Sequence, residues 1–188
     1  MRQRLLDLDP NEIVLHDVKR HPIGLLGIYF AGAFIFLFDL IVLFLMARNQ
    51  EAIGLNLENS SAIIVVIASI FAILTVLATT IAAMIYKVNE LIVTNESIIL
   101  IYQAGLFNRK ISQLGLEKIE DVTSQQTGIL PHMFNYGTIT IETAGEMSNF
   151  VFPYAPSPNI TAKQIIEANE QFIRNSGTSA TGSGHDSS

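Results

Sequence analysis

Two long, predominantly apolar runs, residues 23–46 and 62–86, decide what this 188-residue chain can fold into. At about 1.5 Å of rise per residue each run makes a helix of roughly 36 Å, against a bilayer hydrocarbon core of about 30 Å. Hydrocarbon offers no partner to a backbone amide, so a crossing chain must satisfy its amides internally, as a helix does. The runs therefore predict a hairpin of two transmembrane helices and argue against an ordinary soluble enzyme. A cleavable signal has a shorter apolar core and is not followed by a second span, so the first run is read as retained. Asp39 interrupts it. Sixteen Leu, Ile, Phe and Val residues share that run. At about −0.4 kcal/mol each they outweigh the roughly +3 kcal/mol of one central Asp.

The basic residues set an expected orientation. Arg2, Arg4, Lys19 and Arg20 precede the first run and Lys87 follows the second, whereas the loop 47–61 holds Arg48 beside Glu51 and Glu58. The positive-inside bias then puts both termini in the cytoplasm and the loop outside. Small residues recur at helical spacing: Gly27 with Ala31 and Gly24 near Gly32 in the first span. Ala68 with Ala72, Thr75 with Thr79 and Ala83, and Ala78 with Ala82 do the same in the second. Small residues four apart let helix backbones approach closely in lipid, within the hairpin or between copies. Counting seven residues from the loop end of each run sets Asp39 opposite Ser69, whose hydroxyl would support the carboxyl. An acid inside a membrane is by default a functional hypothesis. A chain of two spans offers it no relay partner, which favours a structural or oligomer contact over transport.

From residue 88 onward the pattern changes to an alternation of period two. Leu91 and Val93 oppose Glu90, Ile92 and Thr94, and Asn95-Glu96 marks a tight turn in which Asn tolerates the left-handed backbone. A returning strand is expected over 97–103, and further strands over 106–112, 118–126, 138–143 and 149–154. Pro156 and Pro158 close the β part. Thr161-Ala162-Lys163-Gln164 has the form of a capping box, which predicts a helix start there. Ile165, Ile166, Phe172 and Ile173 fall on one stripe, and Gly177 stands where a helix stops. Residues 175–188, rich in Gly, Ser and Thr, have too little to bury and predict a disordered tail. Strands followed by one amphipathic helix imply an α+β unit, a barrel or sandwich whose open side the helix covers. The expected divisions are an N-terminal segment 1–22, spans 23–46 and 62–86, a loop 47–61, a domain 87–174 and the tail.

Several stretches together resemble the bacterial pleckstrin-homology-like membrane proteins, a family long catalogued as a domain of unknown function. They are Leu91-Ile92-Val93-Thr94-Asn95-Glu96-Ser97-Ile98, Gly105-Leu106-Phe107 before Arg109-Lys110, and Leu116-Glu117-Lys118-Ile119-Glu120-Asp121-Val122 with Gln125. Tyr136-Gly137-Thr138-Ile139 leading to Thr143-Ala144-Gly145 adds to them, as do Asn11-Glu12-Ile13-Val14 and His21-Pro22 ahead of the first run. The resemblance implies a pleckstrin-homology-like barrel with a C-terminal capping helix, attached to two spans in a bacterial inner membrane. It implies no catalytic residues.

Function is less legible. A net charge of −6 argues against a nucleic-acid binder, which would need a basic face to neutralise phosphates. From Lys87 onward, 6 basic residues stand against 10 acidic ones, and the turn Thr94-Asn95-Glu96-Ser97 has no cation. Phosphoinositide recognition is disfavoured on both counts. Cysteine is absent, and the four histidines, His16, His21, His132 and His185, lack ligand spacing, so neither metal nor cofactor is expected. Glu117, Glu120 and Asp121 read as a solvated face. One apolar connection stands out, Gly128-Ile129-Leu130-Pro131-His132-Met133-Phe134-Asn135. Either Leu130, Met133 and Phe134 form a contact loop with His132 at its rim, or they plug the barrel end, burial being the commoner fate of large apolar side chains. The expected role is a non-enzymatic membrane protein presenting its domain to itself or to another membrane protein. The alternatives are a transport or export accessory acting through Asp39 and, more weakly, a lipid head-group binder.

Overall fold

The computed structural model describes residues 12–48, 60–144 and 149–181. The expected loop from residue 49 to 59 lies outside them, as does the expected tail from residue 182. Two compact units emerge, Pro22–Tyr86 and a second built from the segment before it together with everything from Lys87 onward.

The first unit is a pair of helices, α1 (Ile23–Arg48) and α2 (Ser60–Val88). Both are long and apolar enough to cross a membrane. Only 6% of the most apolar window of each is buried, unlike the core helix of a soluble protein. Their contact faces follow a repeat of seven: Leu25, Gly32, Asp39 and Met46 on α1, Ala72, Thr79 and Tyr86 on α2, all at least partly buried. That spacing is the signature of helices that coil around one another. A Cβ on Gly32 would collide with the Thr79 side chain and one on Gly24 with the Tyr86 ring, whereas Gly27 has nothing within 4 Å. Of the expected small-residue pairs, Gly24 and Gly32 thus serve the hairpin and Gly27 faces outward.

In the second unit two antiparallel sheets pack face to face. One has the order β1-β2-β3-β4, from β1 (Val14–Lys19), β2 (Glu90–Thr94), β3 (Ser97–Gln103) and β4 (Arg109–Gly115). The other has the order β5-β6-β7, from β5 (Ile119–Gln125), β6 (Tyr136–Thr143) and β7 (Phe150–Pro156). A one-turn helix, α3 (Ile129–Phe134), joins β5 to β6, and α4 (Pro158–Thr181) follows β7. The core takes Val18, Leu91, Val93, Ile98, Leu114 and Leu116 from the first sheet and its exit turn. Ile139, Ile141, Phe150 and Phe152 come from the second sheet, Ile165 and Ala168 from α4. Alternation sends Ile92 to the opposite face of its sheet, where it joins Ile99 and Ile101 in a second, smaller buried cluster.

Several expectations are corrected. The segment before α1 is no separate head: β1 pairs with β2 from Val14↔Thr94 to Lys19↔Glu90, so the pair of apolar helices is inserted between two neighbouring strands. The domain expected over 87–174 thus lacks a strand. The third strand of the tail starts at Arg109 instead of 106, because residues 104–108 form the hairpin tip, closed by the Ala104 amide donating to the Asn108 carbonyl (3.0 Å). Asn95 does not take the left-handed backbone. Instead the Thr94 hydroxyl accepts from the Glu96 and Ser97 amides (3.2 and 2.8 Å) and shapes the turn. The last helix starts at Pro158, where the fixed φ of proline and its missing N–H suit a first turn. Thr161 is therefore internal, donating to the Pro156 carbonyl (3.0 Å). On α4 the buried stripe is Ala162, Ile165 and Ala168, with Ile166 and Ile173 exposed, and the helix runs past Gly177 to Thr181.

Candidate functional site

Apolar residues that the core does not absorb gather on α3. The turn is held between two positive-φ residues, Gly128 (φ 101°) and the left-handed Asn135 (φ 50°), the second returning its amide to the Pro131 carbonyl. Gln126 Nε2 donates to the carbonyls of Pro131 (3.0 Å) and Tyr136 (3.1 Å), bracing the turn from the strand before it. From the far side the Ser157 amide donates to the Asn135 carbonyl (2.8 Å), and Asn135 Nδ2 donates to Ser157 Oγ (3.0 Å). His132 Nδ1 lies 2.9 Å from the Gly128 carbonyl. A six-residue helix cannot hold itself in water, so these braces replace the length it lacks.

No α3 residue is buried: Ile129 is 84% exposed, Met133 64% and Leu130 53%. The plug alternative is therefore overturned. The core is already filled by Phe152, Ile139 and their neighbours, which leaves α3 outside it. Leu130, His132, Met133 and Phe134 together form an outward apolar ridge.

Beside the ridge lies a pocket of about 340 Å³, lined by Gln125, Thr127, Pro131, Tyr136, Thr138 and Tyr154 among others. Its aromatic wall is Tyr136 and Tyr154, and His21 extends their stack to three rings from outside the lining. His21 lies on Tyr136 at 5.5 Å, and Tyr136 on Tyr154 at 5.7 Å, centroid to centroid. The His21 amide donates to the Tyr154 carbonyl (2.6 Å), which ties the residue just before the first span to this wall. Tyr154 (φ 59°) and Ser157 (φ 43°) are left-handed without being glycine. Such a backbone costs a bulky residue on the order of 1–3 kcal/mol and gathers at functional sites. Gly137 completes the floor, since a Cβ there would strike the Gln125 carbonyl.

Sequence patterning alone does not mark His21, Gln126, Tyr136 and Tyr154 as site residues. The one local signal was Tyr136-Gly137, an aromatic residue beside the glycine that lets β6 approach β5. Among the described residues no three His, Asp or Glu side chains converge as metal ligands.

The intramembrane pair is re-partnered. Thr75 Oγ1 donates to Asp39 Oδ2 (3.1 Å), whereas Ser69 Oγ donates within its own helix to the Val65 carbonyl (2.8 Å). The gap beside Asp39, about 260 Å³, is lined almost wholly by apolar residues, among them Val42, Met46, Ile64 and Phe71.

Comparison with curated proteins and comparison with solved structures each gave no match. The sequence profile of the bacterial PH domain matches residues 29–168, most of the chain, from within α1 to within α4. With the two antiparallel sheets and the C-terminal helix already in place, the chain belongs to the bacterial pleckstrin-homology domain family.

Proposed function

We propose that this chain is a non-enzymatic integral membrane protein whose pleckstrin-homology domain is a docking module for protein, either a second copy or another membrane protein. Four large apolar side chains, Ile129, Leu130, Met133 and Phe134, held outward on a braced turn carry this reading. Exposed apolar patches with a polar surround mark contact sites, and burying one such side chain contributes roughly 2 kcal/mol. The adjoining pocket, aromatic on one side and hydroxyl- or amide-bearing on the other, suits an uncharged side chain of the partner. No lysine or arginine lies in α3, so anionic head groups find nothing to pair with there, which favours protein over lipid. Both termini are proposed to be cytoplasmic, on the distribution of basic residues.

A photo-crosslinking residue at Met133, in the full chain in native membranes, tests the reading. Adducts of defined mass are expected at Met133 and not at the exposed Lys163 on α4. Recovery of the chain alone identifies self-assembly. Recovery of a transport subunit identifies the accessory role, with Asp39 its first residue to vary. Adducts to lipid alone would refute protein docking.

A further inference from the structure

Whole-domain charge conceals a polarity that the sheet register makes visible. Lys19 pairs with Glu90, Glu90 with Ile101, and Ile101 with Ile111, so these four residues form one row across the first sheet. At that row the chain departs toward Ile23 and returns from Val88, with Asn89 alone between α2 and β2. The β3–β4 hairpin continues past the row through Gln103↔Arg109 to its tip. At about 3.3 Å per residue the last pair lies roughly 7 Å beyond, and the tip loop farther still. Phe107 at this tip is 100% exposed and Leu106 54%. Arg109 and Lys110 are exposed immediately behind them, and Lys19 and Lys87 are exposed at the same end. The opposite end of the sheet, where the Leu116 amide donates to the Glu96 carbonyl (3.0 Å), carries Glu96 and Glu117, with Lys118 as its one cation among the described residues.

We infer that the β3–β4 tip inserts Leu106 and Phe107 into the interfacial layer of the bilayer, with Arg109 and Lys110 on anionic head groups, resting on the proposal that α1 and α2 span that bilayer. An apolar wedge backed by cations is the composition that binds an anionic interface, whereas an apolar patch alone fits protein as well. Position supplies the second argument. The tip projects from the end of the domain that is covalently tied to the spans by one residue, so its insertion needs no search through solution. The tip thereby acts as a third attachment that fixes the domain's rotation and the bearing of the α3 ridge.

The chain has no cysteine, so Phe107→Cys in the full-length protein takes a single polarity-sensitive fluorophore, with Glu117→Cys as the far-end control. Both are reconstituted in vesicles of phosphatidylcholine alone and of phosphatidylcholine with phosphatidylglycerol. Blue-shifted emission at 107, quenching by lipid-borne nitroxide and protection from aqueous iodide are expected, strongest in the anionic vesicles and missing at 117. With each cation near an anionic surface worth about a fivefold change in occupancy, Arg109→Gln with Lys110→Gln should lower the inserted-to-free ratio about 25-fold. Equal iodide access at 107 and 117 in anionic vesicles overturns the proposal. So does shielding that ignores lipid charge and rises with protein density, which would place a second copy on the tip. Failure of the chain to float with vesicles removes the membrane reading itself, a result distinct from both.

Discussion

Glu12 joins segments that lie far apart along the chain. It is 2% exposed, and its Oε1 accepts from the hydroxyls of Thr94 (2.5 Å) and Ser97 (2.6 Å), more than eighty positions away. The neighbouring Ile13 amide donates to Asn95 Oδ1 (2.7 Å), and the Asn95 amide donates back to the Ile13 carbonyl (3.0 Å). The β2–β3 turn is thus built as much by the segment before the first span as by its own residues. Glu12→Ala removes the shared acceptor but leaves the Thr94 hydroxyl the Ser97 carbonyl (2.9 Å) and Ser97 Oγ the Gln113 side-chain amide (3.0 Å), so the expected loss is about 1 kcal/mol for each Glu12 hydrogen bond. Amide exchange across β1, β2 and the turn should accelerate in the full chain while α1 and α2 keep their protection; unchanged exchange in β1 would show that Glu12 does not hold the strand. Sequence showed Asn95 as a turn residue but not its second task, because the partner is distant along the chain. Asp39 misled for a related reason. Counting from the ends of two runs assumed a symmetric loop, whereas the contacts Gly24 with Tyr86 and Gly32 with Thr79 set a register that brings Thr75 to the carboxyl.

Elements were legible where one physical cause dominated. Apolar length gave both helices to within two residues at each end, since predominantly apolar composition over that length leaves little alternative to a helix. Alternation gave β2, β3, β6 and β7, whose buried faces read directly as Leu91-x-Val93 and Ile139-x-Ile141. It missed β1, a six-residue edge strand in which Val18 alone is buried, and it mistook an internal Thr161 for a cap. Helix pairing in α1 and α2 depends on which small residues face inward, and here the structure discriminates. Gly32→Val drives a branched side chain into Thr79, while Gly27→Val meets open space. In lipid the helices lack a hydrophobic drive toward each other, so a lost close approach is not recovered elsewhere. Spin labels at the exposed positions Phe34 and Ile73 should report a wider and broader interhelical distance for Gly32→Val, with Gly27→Val matching the parent. Equal distances in both variants would move the seam to another face.

At the scale of the molecule, the order of parts along the chain differs from their order in space. An apolar helical hairpin of more than sixty residues sits where an antiparallel pair would need only a short turn, because Lys19 and Glu90 are partners in the ladder. Paired residues in an antiparallel ladder have Cα atoms about 5 Å apart, a gap that a few residues span. Replacing residues 22–88 by a short Asn-Gly-containing turn should therefore give a water-soluble domain with both sheets intact. The fragment 87–181, which lacks β1, should not match it. That fragment leaves the hydrogen-bonding edge of β2 open and uncovers the core that Val18 closes, and open apolar edges pair with other chains. The expected contrast is a folded species with dispersed amide resonances for the hairpin-deleted chain and aggregation for the fragment at equal concentration. If the fragment folded as well as the joined domain, β1 would be an accessory strand, and the segment before the first span would be free for another role. If neither folded, the helices would be contributing to the domain's stability as well as its location. A soluble joined domain would also present the α3 ridge without lipid, so partner capture by Met133 could be measured apart from anchoring by Phe107.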